Sequence, residues 1–137
     1  MTGISRDWHS HPITHAVNNV RALRVGVERI LAEGLEARFR RHRKVTEYLR
    51  EGLRDLRLEL FVPDEIASHG VTSVVAPSGK ASELLAYLRD QHGLLLAGSL
   101  GELKGKVFRI GHMGPSATQE AIDDVLCALS SGLRGEP

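Results

Sequence analysis

The sequence predicts an α+β fold, a two-layer domain in which helices cover one face of a mostly antiparallel sheet of about four strands. Two observations lead to this prediction. Apolar residues recur every three or four positions in several long stretches, which is typical of amphipathic helices. Between these stretches lie short apolar or alternating runs, which come in adjacent pairs along the chain. Adjacent pairs of strands favour antiparallel pairing, with the helices packed together on one side.

The first half of the chain is dominated by two predicted helices. Residues 1–13 are irregular by composition and are predicted to form a leader, and residues 14–134 to form the domain. A long N-terminal helix is predicted to begin at Thr14, a suitable N-cap, and to stop at Gly34. Its apolar stripe consists of Val17, Val20, Leu23, Val27, Ile30 and Leu31. A second helix follows at once, with a stripe formed by Leu35, Phe39, His42, Val45, Leu49 and Leu53.

The second half alternates between strands and helices. Strands are predicted over 56–62, 71–76, 94–97 and 106–111. A short helix between the middle two strands ends at Gly93, and a last helix begins near Ser116 and Gln119, which have the spacing of a capping box. Gly132 and Gly135 are predicted to end that helix.

Composition excludes several classes of protein. The chain has 137 residues and a formal net charge of +1, so no strong field attracts nucleic acid or acidic lipid. No apolar run is long enough to span a membrane, and the N-terminus lacks a signal-peptide core, so we expect a cytoplasmic protein. Cys127 is the single cysteine, and we expect a partly buried, inert thiol.

Two clusters of charged or metal-binding residue types have ordinary interpretations. The basic run from Arg38 to Lys44 could contact phosphates, but glutamates at helical spacing favour a solvated helix face, so we expect no nucleic-acid binding. Imidazoles spaced like His9, His11 and His15 can bind zinc. No thiol and only one nearby carboxylate could complete the ligand set, so we expect no metal site.

The stretch from Lys106 to Gly114 contains the best candidate for a binding residue. Strand alternation places Phe108 and Ile110 on one face and Arg109 on the other, together with Val107. Arg109 is therefore either an ordinary exposed residue or the seat of a carboxylate, whose two oxygens match the guanidinium fork. We expect Gly111 and Gly114 to allow positive φ angles in the loop that follows.

Several short motifs together resemble those of a known family. They are Glu33-Gly-Leu-Glu36, Arg41-His42, Val75-Ala-Pro77, the pair Gly98 and Gly101, and the run Gly105-Lys-Val-Phe-Arg-Ile-Gly-His-Met-Gly114. In this combination the chain resembles the C-terminal small domain of class V pyridoxal-phosphate aminotransferases, of the alanine–glyoxylate or serine–pyruvate type. The resemblance covers residues from Thr14 to Leu133, and the Arg-Ile-Gly-His-Met-Gly run is its most specific part.

The resemblance implies roles for two residues. Arg109 would bind the α-carboxylate of the substrate, and Thr14 would lie near the cofactor phosphate across a dimer interface. The family reaction moves an amino group between a small amino acid and a 2-oxo acid such as glyoxylate or pyruvate. The expected partners are a second copy of the chain and a separate large catalytic domain.

The resemblance also implies what is missing. The large domain supplies the Schiff-base lysine, and none of Lys44, Lys80, Lys104 and Lys106 resembles that lysine's setting. We therefore expect no catalytic residue here and no pyridoxal phosphate bound to this chain alone. The alternative is a non-catalytic binding or assembly module that keeps the fold, and a nucleic-acid binder is a third hypothesis.

Overall fold

The computed structural model describes residues 15–134, which divide into two units at Leu35 and Glu36. The first unit contains helix α1, Val17–Glu33, which ends at Gly34 with a φ of 82°. The predicted long N-terminal helix is thus present, although its predicted cap, Thr14, lies outside the described residues. No residue of α1 is buried, and its apolar stripe is exposed apart from the half-buried Ile30, to 67% at Leu23 and 68% at Leu31.

The second unit contains three helices and three strands. Helix α2 spans Leu35–Asp55, strand β1 Val71–Val75, helix α3 Ala81–His92, strand β2 Ala97–Gly98, strand β3 Val107–Gly111 and helix α4 Gln119–Arg134. The left-handed conformation of Gly93 ends α3, as predicted. Short 3₁₀ turns lie at Pro77–Gly79, Gly101–Leu103 and Gly114–Ser116.

The sheet is antiparallel, with β3 between β1 and β2. Phe108 and Ile110 of β3 and Val74 of β1 point to the same face and are fully or almost fully buried. They pack with apolar residues from one face of each of the three helices, namely Val45, Leu49, Leu53, Ala81, Leu88, Ile122, Val125, Ala128 and Leu129. The predicted α+β class and two-layer arrangement are therefore confirmed.

The sheet has fewer strands than the four that were predicted. The segment 56–62 makes one β-bridge, Leu60 with Val74, flanked by hydrogen bonds from Phe61 N–H to Ser73 O and from Val75 N–H to Glu59 O. The segment 94–97 contributes only its last residue, Ala97, to β2. An alternating or continuous apolar pattern indicates which side chains pack against the core. It does not specify backbone pairing, and an extended segment can bury these side chains without forming a ladder of hydrogen bonds with a neighbouring strand.

Two predicted ends of the last helix were wrong, the end at Gly132 and the cap at Ser116, while Gly135 lies outside the described residues. Gly132 lies inside α4, where an added Cβ would be 2.9 Å from the ring of Tyr87. Gly52 likewise lies inside α2, against the side chain of Leu126. The cap of α4 is Thr118, not Ser116, since the Ala121 N–H donates to Thr118 Oγ1 at 3.2 Å.

Two further expectations are corrected in the last third of the chain. Gly111 is a strand residue without a positive φ, whereas Gly114 has the expected positive φ of 64°. Cys127 is exposed, not partly buried, because it lies beside the buried stripe of α4 and faces solvent.

Candidate functional site around Arg109

Arg109 lies in the middle of β3 with its side chain on the face of the sheet opposite the helical layer. Its neighbours Phe108 and Ile110 are buried, whereas Arg109 is exposed, as the alternation predicts. Val107 shares the Arg109 face but is 3% exposed. The guanidinium donates two hydrogen bonds to the carbonyl oxygen of Gly98, from Nε at 3.2 Å and from Nη2 at 2.8 Å. The charge is therefore held at a defined place on the surface.

The turn that follows β3 is anchored to α2 by two side chains. Arg41 Nη1 donates to the carbonyl oxygens of Gly114, at 3.0 Å, and Ala117, at 2.7 Å. The Gly114 N–H donates to His42 Nε2 at 3.0 Å, and His42 Nδ1 lies 2.8 Å from the carbonyl oxygen of Arg38. A carbonyl oxygen only accepts, so Nδ1 carries the proton and Nε2 is the acceptor. His42 therefore binds the turn as a neutral imidazole.

This anchoring was not predicted from the sequence. Arg41 was placed in a solvated basic run and His42 on an apolar stripe, although the Arg41-His42 pair was among the motifs of the resemblance. The pair fixes the backbone of the turn that comes directly after the strand of Arg109.

His112 is the centre of a buried polar network beneath the same turn. Its side chain is completely buried, with Nε2 2.9 Å from Thr72 Oγ1 and Nδ1 3.3 Å from Thr46 Oγ1. The Thr46 hydroxyl also reaches the carbonyl oxygens of His42 and His69, at 2.7 and 3.0 Å. Since the Thr46 proton goes to a carbonyl oxygen, His112 Nδ1–H donates to Thr46 and Thr72 donates to Nε2.

Burial of His112 disfavours the imidazolium. It lowers the pKa of His112 from 6.5 to about 4, and the positive charge of Arg50 adds to this effect, whereas a backbone hydrogen bond of His112 opposes it. His112 is thus a neutral structural link between β3, β1 and α2. The sequence contained a signal for this role, because the alternation that buries Phe108 and Ile110 also points residue 112 inward.

Comparison with known proteins shows clear relatives. No family model matches the chain. It is 40% identical to the (S)-ureidoglycine–glyoxylate transaminase of Bacillus subtilis over 130 residues, which cover 92% of this chain and 31% of that protein. It is 35% identical to the soluble hydrogenase small subunit of Synechococcus sp. over 123 residues, covering 90% of this chain and 31% of that protein.

The structural comparison agrees with the sequence comparison. The crystal structure of the alanine–glyoxylate aminotransferase of Nostoc sp. matches with a TM-score of 0.86 and 36% identity, over 93% of this chain and 34% of that one. The chain matches a fragment of class V aminotransferases. It spans about a third of the length of these relatives, and its fold corresponds to an aminotransferase C-terminal domain.

The lysines of this chain do not fit the cofactor of these relatives. All four are exposed, and the Lys80 ammonium pairs with Glu83 at 3.1 Å. A lysine that forms a Schiff base needs a desolvated pocket or a neighbouring cation to activate its amine. The described residues therefore offer no attachment site for pyridoxal phosphate.

Thr14, His9 and His11 lie outside the described residues. Between residues 15 and 134 no group of histidine, cysteine and carboxylate side chains is arranged to hold a metal ion. Within the same range, no helix has the length and apolarity that crossing a bilayer requires. A cavity of about 250 Å³ beside β1 is lined by Arg50, Leu60 and Ser73, among others, and does not include Arg109.

Proposed function

We propose that this chain is the C-terminal domain of a cytoplasmic pyridoxal-phosphate-dependent aminotransferase, and that Arg109 binds the carboxylate of its substrates. The substrates would be a small amino acid and a 2-oxo acid such as glyoxylate or pyruvate. The observation that carries the proposal is the exposed guanidinium of Arg109, fixed by the Gly98 carbonyl on an otherwise uncharged strand. The match to proteins named as glyoxylate transaminases supports the choice of substrates.

The amino-group chemistry would come from the part of the enzyme that this chain does not cover. When bound there, pyridoxal phosphate supplies the electron sink for the reaction. This chain would bind and orient the substrate through Arg109. Thr14 remains our proposed contact to the cofactor phosphate, from the segment preceding α1.

The test is complementation of a related aminotransferase. The chain is fused to, or co-expressed with, the preceding two thirds of the Bacillus subtilis transaminase, and amino transfer to glyoxylate is measured. Arg109→Ala should lower kcat/KM at least tenfold, because a charged hydrogen-bonded contact of about 1.5–3 kcal/mol is lost. Arg109→Lys should recover only part of this, since a point charge cannot replace the fork.

The controls separate binding from folding. Arg43 is an exposed arginine on α2, and Arg43→Ala should leave the rate unchanged. All three variants should unfold within about 0.5 kcal/mol of the wild type, because these side chains are on the surface. Equal rates in wild type and Arg109→Ala would contradict the carboxylate role. No complementation by a well-folded wild-type chain would favour the alternative, a non-catalytic module.

We also expect the isolated chain to associate with itself. The apolar stripe of α1 is exposed except at Ile30, which is half-buried, with Val20 at 63% and Leu23 at 67%. Contiguous apolar surface of this kind favours association. Light scattering should therefore detect dimers or larger species, which Leu23→Glu should dissociate and the polar control Asn18→Glu on the same helix should not. A monomer at all concentrations would refute this expectation.

A further inference from the structure

The position of Gly98 at the open edge of the sheet explains how Arg109 is held. Strand β2 pairs only with β3, with Ala97 opposite Arg109 and Gly98 opposite Phe108. The Ser99 N–H donates to the Val107 carbonyl oxygen at 3.1 Å. Because hydrogen-bonded pairs alternate in an antiparallel ladder, Ala97 and Arg109 form the next such pair, and the N–H and C=O of Gly98 point away from β3.

The side chain of Arg109 therefore crosses over β2 to reach the Gly98 oxygen. Ser73, its neighbour on the other side, belongs to the close, non-hydrogen-bonded type of pair, since its carbonyl accepts from Phe61 on the far side of β1. The guanidinium nevertheless donates to Gly98 and is therefore directed toward the β2 edge, away from Ser73.

The two hydrogen bonds to Gly98 use one particular edge of the guanidinium. Nε and Nη2 together form its side edge, and both donate to the same oxygen. The end edge consists of Nη1 and the second proton of Nη2. No hydrogen bond or ion pair from these protons is found between residues 15 and 134. Two parallel N–H groups of this kind match the two oxygens of a carboxylate.

We propose that the Gly98 carbonyl is a positioning group that holds Arg109 by its side edge, so that the substrate carboxylate docks end-on at Nη1 and Nη2. This rests on the proposed function and specifies its geometry. A carboxylate that approached the side edge would have to displace the Gly98 oxygen, which already accepts both protons. An arginine held in this way has less conformational freedom to lose when it binds.

The geometry also indicates which substitutions would change the position of the Arg109 guanidinium without removing its charge. A Cβ added at Gly98 would lie 3.6 Å from Leu85, an ordinary contact, and Gly98 does not need a positive φ. Gly98→Ala should therefore keep the carbonyl in place, and Leu95→Ala, at a side chain that is 82% exposed two residues before β2, serves as the control. Ala97→Pro removes the N–H that β2 donates to Arg109, and it should displace β2 with its Gly98 carbonyl.

The first experiment is NMR on the chain with ¹⁵N-labelled arginine and ¹³C-carbonyl-labelled glycine, with Arg109→Lys identifying the resonances. We expect a scalar coupling through the hydrogen bond from Arg109 Nε–Hε to the Gly98 carbonyl carbon. Titration with pyruvate should shift the Nη resonances of Arg109 and leave this coupling intact, whereas the same concentration of chloride should shift them much less.

The possible results separate the two proposals. Loss of the coupling on saturation with pyruvate, or its absence in the free chain, would overturn the positioning role while leaving a carboxylate site at Arg109. No response of Arg109 to pyruvate would instead refute the carboxylate role itself.

The second experiment uses the complemented enzyme. Ala97→Pro should raise KM for the oxo acid about five- to tenfold with kcat changed less than twofold, and the exposed control Leu95→Ala should change neither. A variant that only impaired folding would lower the amount of active enzyme and leave KM alone. An unchanged KM in Ala97→Pro, with the NMR coupling lost, would overturn the inference.

Discussion

The buried His112 should make the stability of the domain depend on pH in a defined window. Its pKa is about 4 in the folded protein, and about 6.5 is the ordinary value expected for the unfolded chain. The folded pKa is thus depressed, so the unfolded state takes up the proton first as the pH falls. The stabilising contribution is complete above about pH 6.5, decreases between about 6.5 and 4, and is absent below about 4.

The size of the effect follows from the same two values. A fall in pKa from 6.5 to about 4 corresponds, at about 1.36 kcal/mol per pKa unit, to about 3 kcal/mol in full, of which about 2 kcal/mol is already lost at pH 5. This is a large part of the 5–15 kcal/mol or so that stabilises a typical domain. The main cause is burial of the imidazole, which lies between the hydroxyl groups of Thr46 and Thr72.

The assay is urea unfolding at pH 7.5 and pH 5.0 for wild type and His112→Gln. The glutamine side chain does not titrate. At pH 7.5 the variant should be less stable than the wild type, because glutamine replaces the two threonine contacts imperfectly. The informative quantity is the difference between the two proteins, since other titrating groups are common to both. That difference should shrink by about 2 kcal/mol on going to pH 5.0. If it is the same at both pH values, the argument from burial is wrong.

Two further predictions use matched pairs of residues. Arg50 and Arg54 both pair with Asp64, but the Arg50 side chain is 6% exposed and that of Arg54 is 51% exposed. Arg50→Ala should destabilise the domain by about 2 kcal/mol, because the Ser68 carbonyl also loses its donor. Arg54→Ala should destabilise it by less than about 1 kcal/mol, since that ion pair is exposed. Equal losses of stability in the two variants would contradict the role of burial. Gly132→Ala should destabilise the domain by about 1 kcal/mol, because overpacking against Tyr87 outweighs the gain in helix propensity. A Cβ added at Gly26 would meet no atom within 4 Å, so Gly26→Ala should raise the helix content. Thermal melts and far-UV circular dichroism measure both, and a stabilising Gly132→Ala would refute the packing argument.

The parts of the fold that the sequence predicts well are those with long or strongly apolar patterns. The helices containing Leu49 and Leu129 and the strands containing Val74 and Phe108 are present, because burial of a regular stripe determines each of them. The segment 56–62 has the same kind of pattern but forms only a bridge. Backbone pairing there depends on the loop from Pro63 onward, which composition does not specify.

The candidate site was predicted only in part. The exposure of Arg109 follows from strand alternation, but its bond to Gly98 depends on β2 being next to β3 in the sheet. The contacts of Arg41 and His42 join positions more than seventy residues apart, so no local pattern contains them. His112 shows the opposite case, since its inward direction was implied by the strand period although its threonine partners were not.

The crossing of Arg109 over β2 also bears on aggregation. An open sheet edge exposes unpaired backbone groups to which another chain can add, and proteins limit this with very short edge strands and charged side chains. Strand β2 has only two residues, and the guanidinium occupies the one carbonyl that points outward from it. On the opposite edge, β1 is partly covered by the bridge from Leu60. The side chain proposed to recognise substrate therefore also covers part of the edge to which a neighbouring molecule could add.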